Sequence, residues 1–96
     1  MYIEFDWSPG KARANLVKHG VAFEEAMSVF LDPDALQFFD DDHSTEEERF
    51  ILLGVSSRLR LLVVCHCERS GGDVVRIISA RKATARERNF YEDWPR

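Results

Sequence analysis

Hydrophobic spacing divides the chain into eight segments of secondary structure. Residues 2–7 alternate apolar and polar side chains and are rich in aromatics, which predicts a strand. Ser8-Pro9 has the residue types of a helix start, Ser as cap and Pro at the first helical position. That helix is expected to run to about His19 and stop at Gly20. Ala12, Leu16 and His19 share one of its faces, and Lys11, Asn15 and Lys18 another. Phe23, Ala26, Met27 and Phe30 then fall at i, i+3, i+4 and i+7, the buried stripe of a second helix. Glu24, Glu25 and Ser28 are expected to face out, and Asp32-Pro33-Asp34 to end the helix.

The rest of the chain reads as four strands and a closing helix. Residues 35–39 form a short strand, and Asp40-Asp41-Asp42-His43-Ser44 a polar loop. The next strand starts at Glu48 or Arg49 and ends at Val55, before a turn at Ser56-Ser57-Arg58. Residues 59–69 are the longest apolar run and are expected to be central. Ser70-Gly71-Gly72-Asp73 suits a hairpin loop, and residues 74–81 pair back. Thr84-Ala85-Arg86-Glu87 fits a capping box for a helix over 85–93. The order β-α-α-β-β-β-β-α, with short loops between the last four strands, predicts an α+β fold, an antiparallel sheet packed with helices. At 96 residues the chain is expected to be one domain, residues 1–96.

Composition narrows the class. The chain is 45% hydrophobic and 31% charged, and no apolar run approaches the roughly 20 residues that span a bilayer. Its first residues lack a basic start followed by an apolar stretch, so a cytoplasmic location is expected. Cys65 and Cys67 lie two apart on a predicted strand and point to one face. Their Cα atoms would be about 6.7 Å apart, at the edge of disulfide geometry. His66 faces the other way, which argues against a Cys-His-Cys metal site and for cysteines that fill the core or the sheet face.

The net charge of −4 averages two opposed blocks. Residues 22–48 hold ten acids and no Lys or Arg; residues 49–91 hold nine bases against three acids. Such polarity can set a basic surface for nucleic acid beside an acidic one, or the two blocks can neutralise each other in the fold. Arg76, Arg81, Lys82, Arg86 and Arg88 crowd the last strand–helix join, a place suited either to a phosphate or acidic partner, or to a solvated basic face.

Two constellations could carry chemistry. Lys18-His19-Gly20 closes the first helix, where a His can titrate near neutrality; the bland counterpart is a pair of cations favoured by the helix dipole. Arg49, Arg69 and Arg81 lie at the ends of three strands, and antiparallel neighbours about 4.8 Å apart could bring them to one phosphate. Glu48 would be close enough to orient one of them. The alternative is three rim arginines paired with the acidic block. Glycine-rich phosphate loops, Ser-His-Asp spacings and clustered metal ligands are absent, so no cofactor is expected. Metal-independent RNA cleavage fits such a kit: the 2′-OH attacks the adjacent phosphate, side chains move the protons, and Arg and Lys stabilise the charge that builds.

Taken in order, Phe5-Asp6-Trp7, Lys11, Asn15, Lys18-His19-Gly20-Val21, Phe23-Glu24-Glu25-Ala26, Phe30-Leu31-Asp32-Pro33, Glu48-Arg49 and the block from Arg76 through Ala83, with Glu87-Arg88 and Tyr91, resemble the BrnT toxins of type II toxin–antitoxin systems. The resemblance implies a compact RelE-like ribonuclease that cleaves RNA and arrests growth. It implies a ribbon-helix-helix antitoxin as partner, a heterotetramer with two copies of each chain, and operator DNA contacted only through the antitoxin. By position it implies Lys18, His19, Glu48, Arg49, Arg69, Ser79, Arg81 and Glu87 as site residues. Arg69 and Arg81 would stabilise charge, Lys18 and His19 would contact phosphate or move a proton, and Glu48 and Glu87 would orient arginines. The chain departs from the pattern at Ser8, where the family commonly has Asp, and at Cys65-His66-Cys67. His66 is either a second titratable group at the site or a filler on the sheet face. Two other readings remain open: an inactive relative that binds antitoxin in operon autoregulation, and a nucleic-acid-binding module with no toxin role.

Overall fold

A computed structural model of the chain describes residues 3–43 and 47–96. Its elements are β1 (Glu4–Asp6), α1 (Pro9–His19), α2 (Phe23–Ser28), a 3-10 turn (Val29–Leu31), β2 (Leu36–Phe39), a second such turn (Asp41–His43), β3 (Arg49–Val55), β4 (Leu61–Arg69), β5 (Val74–Lys82) and α3 (Ala85–Asp93). The fold is α+β. The local signals act as expected: Ser8 Oγ accepts from Lys11 N–H at the start of α1, and Gly20 ends it in the left-handed region at φ 69°. Thr84 and Glu87 form the full capping box of α3. Two expectations fall partly outside the described residues, the start of the first strand at Tyr2 and the end of the polar loop at Ser44.

The sheet is mixed rather than antiparallel throughout. Its five strands run in the order β1-β5-β4-β3-β2, so β4 is central, and β2 to β5 form the expected meander. β1, however, pairs in parallel with β5, Glu4 opposite Val74 and Asp6 opposite Arg76. The reason lies in the path: after β1 the chain crosses one face as α1 and α2, enters the sheet at its far edge, and winds back to β1. Periodicity marks a strand but not its partner.

One face carries the main core, in which Val21, Phe23, Ala26 and Val29 pack on Leu52, Leu62, Val64, Val75, Ile77 and Ala80. Phe5 meets Phe30 edge-on, and Trp7 meets Phe23 likewise. The opposite face has a smaller cluster, Leu53, Leu61 and Val63 under Tyr91 of α3. α3 therefore covers one end of that face.

Glu24 is exposed, but Glu25, expected to face out, is buried at 6% exposure. Arg60 makes this possible. Its Nε and Nη2 both donate to the Glu25 carboxylate, and Ser56 Oγ donates at 2.7 Å. Arg60 Nη2 also reaches the Gly20 carbonyl, tying the β3–β4 turn to the α1–α2 corner. The guanidinium beside Glu25 outweighs the cost of its burial and holds its pKa below the usual value. A partner 35 residues away left no mark on the helical pattern. On α1 the buried polar residue is Asn15, which is bonded to β5, while Leu16 is half exposed.

Candidate active site

The face of the sheet that α3 leaves open is lined by arginines. Across the strands, Arg49 of β3 lies opposite Cys67 of β4, and Cys67 opposite Arg76 of β5, which in turn lies beside Asp6 of β1. The next row is Ile51, Cys65 and Ser79, and the one after it Leu53, Val63 and Arg81. Leu53 and Val63 pack toward α3, and with side chains alternating along each strand these rows share that face.

A bulge brings them together. Cys65 pairs with Ser79, but His66 pairs with Ile77, so Ile78 is an extra residue on β5. The extra residue shifts the alternation by one. Arg76 and Arg81, an odd number of positions apart, would otherwise point to opposite faces. With the bulge both lie on the open face, and Ile77 and Ala80 both lie in the core.

Each of three arginines has a carboxylate. Arg69 Nε donates to Glu47 Oε2 at 2.8 Å, and Arg76 Nη1 to Asp6 Oδ2 at 2.7 Å. Arg81 makes a bidentate pair with Glu87, both bonds at 2.8 Å. The Arg69 hydrogen bond, with the charges of Arg69, Arg76 and Arg49, lowers the pKa of Glu47. A carboxylate thus already sits on Arg69, and the charges of Arg76 and Arg49 add to the field it feels. Arg81 holds Glu87 down to about 2 against the effect of partial burial, and Thr84 N–H adds to the shift. The capping glutamate of α3 is also the anchor of Arg81.

The residues singled out from sequence divide into groups. Arg49, Arg69, Ser79, Arg81 and Glu87 belong to the rows or edges of the open face. Lys18 and His19 lie around the outer edge of β5, in a shallow cleft of about 220 Å³ with Lys11, Asn15, Ile78 and Ser79, so Ser79 links the two groups. Glu48 is exposed just before β3, and it is its neighbour Glu47 that holds Arg69. Glu47, Arg76 and Asp6 join the open face without having been singled out as site residues from the sequence. Arg76 stood in the basic cluster at the strand–helix join, but only the parallel β1–β5 register brings it Asp6.

His66 lies on the other face. It is fully buried between Phe30 and Phe50, with Nε2 3.1 Å from Glu68 Oε2. Burial pulls its pKa down, opposed by Glu68. It is a filler of the core side, away from the arginines. Burial likewise pushes up the pKa of Cys67, a free thiol at 1% exposure beneath the arginine row. Among the described residues no group of three or more His, Cys, Asp or Glu side chains is placed to hold a metal ion.

A small mixed sheet with α1 and α2 on one face, and arginine–carboxylate pairs on the part of the other face that α3 leaves open, defines a compact α+β protein with a cationic sheet face. Residues 7–87 match the family described as the ribonuclease toxin, BrnT, of type II toxin–antitoxin systems, and the chain belongs to that family. The fold is similar to that in the crystal structure of the Brucella abortus ribonuclease toxin, BrnT, with a TM-score of 0.65 and 24% identity over 85% of this chain and 97% of that one. No curated protein sequence matches the chain.

Proposed function

We propose that this ribonuclease toxin cuts RNA on the arginine-lined face without a metal ion. The observation that carries the reading is the Glu47 carboxylate seated on Arg69 within the fields of Arg49 and Arg76. A site that holds one anion this way suits the phosphodiester of an RNA chain. In the reaction the ribose 2′-oxygen attacks the adjacent phosphorus and gives its proton to a base. The bond from phosphorus to the 5′-oxygen breaks, and that oxygen takes up a proton. The products are a 2′,3′-cyclic phosphate and a 5′-hydroxyl. Arg69, Arg76 and Arg81 stabilise the charge on the phosphorane. Glu87, with a pKa near 2 and both oxygens on Arg81, is a poor base and serves to position Arg81. Lys18 and His19, at the β5 edge beside Ser79, are the candidates for proton transfer.

In the cell this activity arrests growth until an antitoxin covers the toxin. The proposed antitoxin is a ribbon-helix-helix protein, bound as two copies with two of this chain in the cytoplasm, and it alone touches operator DNA. Among the described residues no helix is long and apolar enough to cross a membrane.

The test has two arms. The purified chain is given a defined RNA in the presence of a chelator, beside an Arg81→Ala copy, and both are expressed in cells without antitoxin. Metal-free cleavage ending in cyclic phosphate, and growth arrest, both lost in the variant, are expected. A folded wild-type chain that neither cuts RNA nor slows growth would instead be an inactive relative serving operon regulation.

A further inference from the structure

Beside the Arg81–Glu87 pair the open face continues into an apolar cavity of about 290 Å³, lined by Phe38, Ile51, Leu53, Val63, Glu87 and Phe90. β2, β3 and β4 supply its floor, and α3 overhangs it with Phe90. The Phe38 and Phe90 rings are 5.6 Å apart and inclined at 56°. Trp94 extends the group, its ring 5.2 Å from Phe90. Phe90 and Trp94 remain 44% and 42% exposed.

The rim has one polar opening. A carboxylate can accept about four hydrogen bonds. Glu87 accepts two from Arg81 and one from Thr84 N–H. Oε2, with a single donor, has room for one more. The cavity therefore offers aromatic faces, apolar walls and one acceptor, a single side chain away from the guanidinium of Arg81. A splayed nucleobase on a phosphate-bearing chain has the matching chemistry: two π-faces, an edge with N–H donors, and an anion one ribose away.

We infer that this cavity is a base-binding subsite, which takes an unstacked base of the RNA next to the phosphate held by Arg81. The inference rests on the ribonuclease reading and adds to it the contact that orients the strand. Phosphate contacts alone position a chain without reading it; a ring platform at one step chooses which nucleotide lies flat against the protein.

The test is equilibrium binding of a short fluorescent 2′-O-methyl RNA, whose blocked hydroxyl prevents cleavage. The proteins are the wild type, Phe90→Leu, Phe38→Leu and, as a control, Phe39→Leu. Phe39 is the neighbouring ring on β2 and packs against Phe50 on the other face. Leucine keeps the apolar bulk and removes the stacking surface. Phe90→Leu should weaken binding about tenfold, and Phe39→Leu should not change it. A single abasic nucleotide at one position of the RNA should weaken wild-type binding to the same degree and cost nothing further in Phe90→Leu. The abasic series needs only the wild-type protein, so the question is settled even where a variant folds poorly.

If the wild type cuts RNA yet tolerates an abasic nucleotide at every position, the subsite is overturned and the ribonuclease reading stands. If the wild type neither binds nor cuts RNA, both fall. Loss of antitoxin affinity in Phe90→Leu with RNA affinity intact would assign the cavity to the protein partner and overturn the inference.

Discussion

Asn15 takes the place of a neighbouring strand beside Ala80. Its Oδ1 accepts from the Ala80 N–H at 3.0 Å, and its Nδ2 donates to the Ala80 carbonyl at 2.8 Å. These are the two bonds a paired strand would make, at a point β1 does not reach, since its pairing with β5 ends at Arg76. The second Nδ2 hydrogen goes to the Val21 carbonyl at 2.9 Å. One side chain thus seals an open sheet edge, fastens α1 to it, and sets Lys18 and His19 beside Ser79.

Asn15→Leu should therefore be more damaging than its size suggests. It strands an amide and two carbonyls at a buried position, each unmet group costing about 1–3 kcal/mol. A loss of about 3 kcal/mol in urea unfolding is expected, allowing for relaxation toward water. Asn15→Asp keeps the acceptor but sets a carboxylate against two carbonyl oxygens. Its folded-state pKa is then raised, so its stability should be best in acid and fall as pH rises. A leucine variant as stable as the wild type would contradict the strand-replacement role.

Arg76, in the same row as Arg49, is expected to matter as much as the arginines visible from sequence. Arg76→Ala should lower kcat for RNA cleavage by about 10²-fold, with stability falling by no more than about 1 kcal/mol because its part-buried side chain is held by a half-exposed pair with Asp6. Asp6→Asn, which frees Arg76 without removing it, should have a much smaller effect. Single-turnover cleavage measures both; full activity in Arg76→Ala would remove it from the site.

The Arg81–Glu87 pair predicts an acid limb to stability. Glu87 has its pKa depressed from 4.5 to about 2, so it is ionised in the folded chain where it would be protonated in the unfolded one. Its contribution is complete above 4.5 and is lost as pH falls toward 2. Glu87→Gln should flatten the fall of Tm across that window. The same variant should slow cleavage at neutral pH through a less constrained Arg81, and Glu87→Asp should restore less than half of the rate because the shorter side chain cannot reach both nitrogens. An unchanged acid limb in Glu87→Gln would place the linkage elsewhere.

Gly54 has no room for a methyl group. A Cβ there would lie 2.9 Å from Ala35 Cβ, 2.9 Å from Val29 Cγ1 and 3.0 Å from Asp32 Oδ2. Asp32 is itself a hub, accepting from Val55 N–H at 2.8 Å and Tyr91 O–H at 2.7 Å, and so joins β3 to α3. Gly54→Ala should cost about 1–3 kcal/mol by overpacking. Because Asp32 shares that strain with Ala35 and Val29, the change should also loosen α3, seen as faster amide exchange in residues 85–93.

What was legible in the chain was local. Ser8, Gly20 and the Thr84–Glu87 box mark helix ends because each acts within about four residues of itself. Alternation marked the strands, and short loops ordered the last four. The stripe of Phe23, Ala26, Met27 and Phe30 marked the buried segment, but α2 ends at Ser28, Phe30 lies in the 3-10 turn after it, and Val29 is buried more fully than Met27 or Phe30. Family membership was legible too, because the ordered set of motifs spans nearly the whole chain.

The tertiary structure decided everything that depends on a distant partner. A sequence period cannot announce the bulge at Ile78, yet that one residue puts Arg76 and Arg81 on the same face. The parallel pairing of β1 with β5 gives Arg76 its Asp6. Glu25 is buried because Arg60 reaches it across the fold, and Glu47 rather than Glu48 meets Arg69. The physical reason is common to all four: helix and strand signals are paid out over a few bonds of backbone, whereas a charge chooses its partner only after the chain has closed.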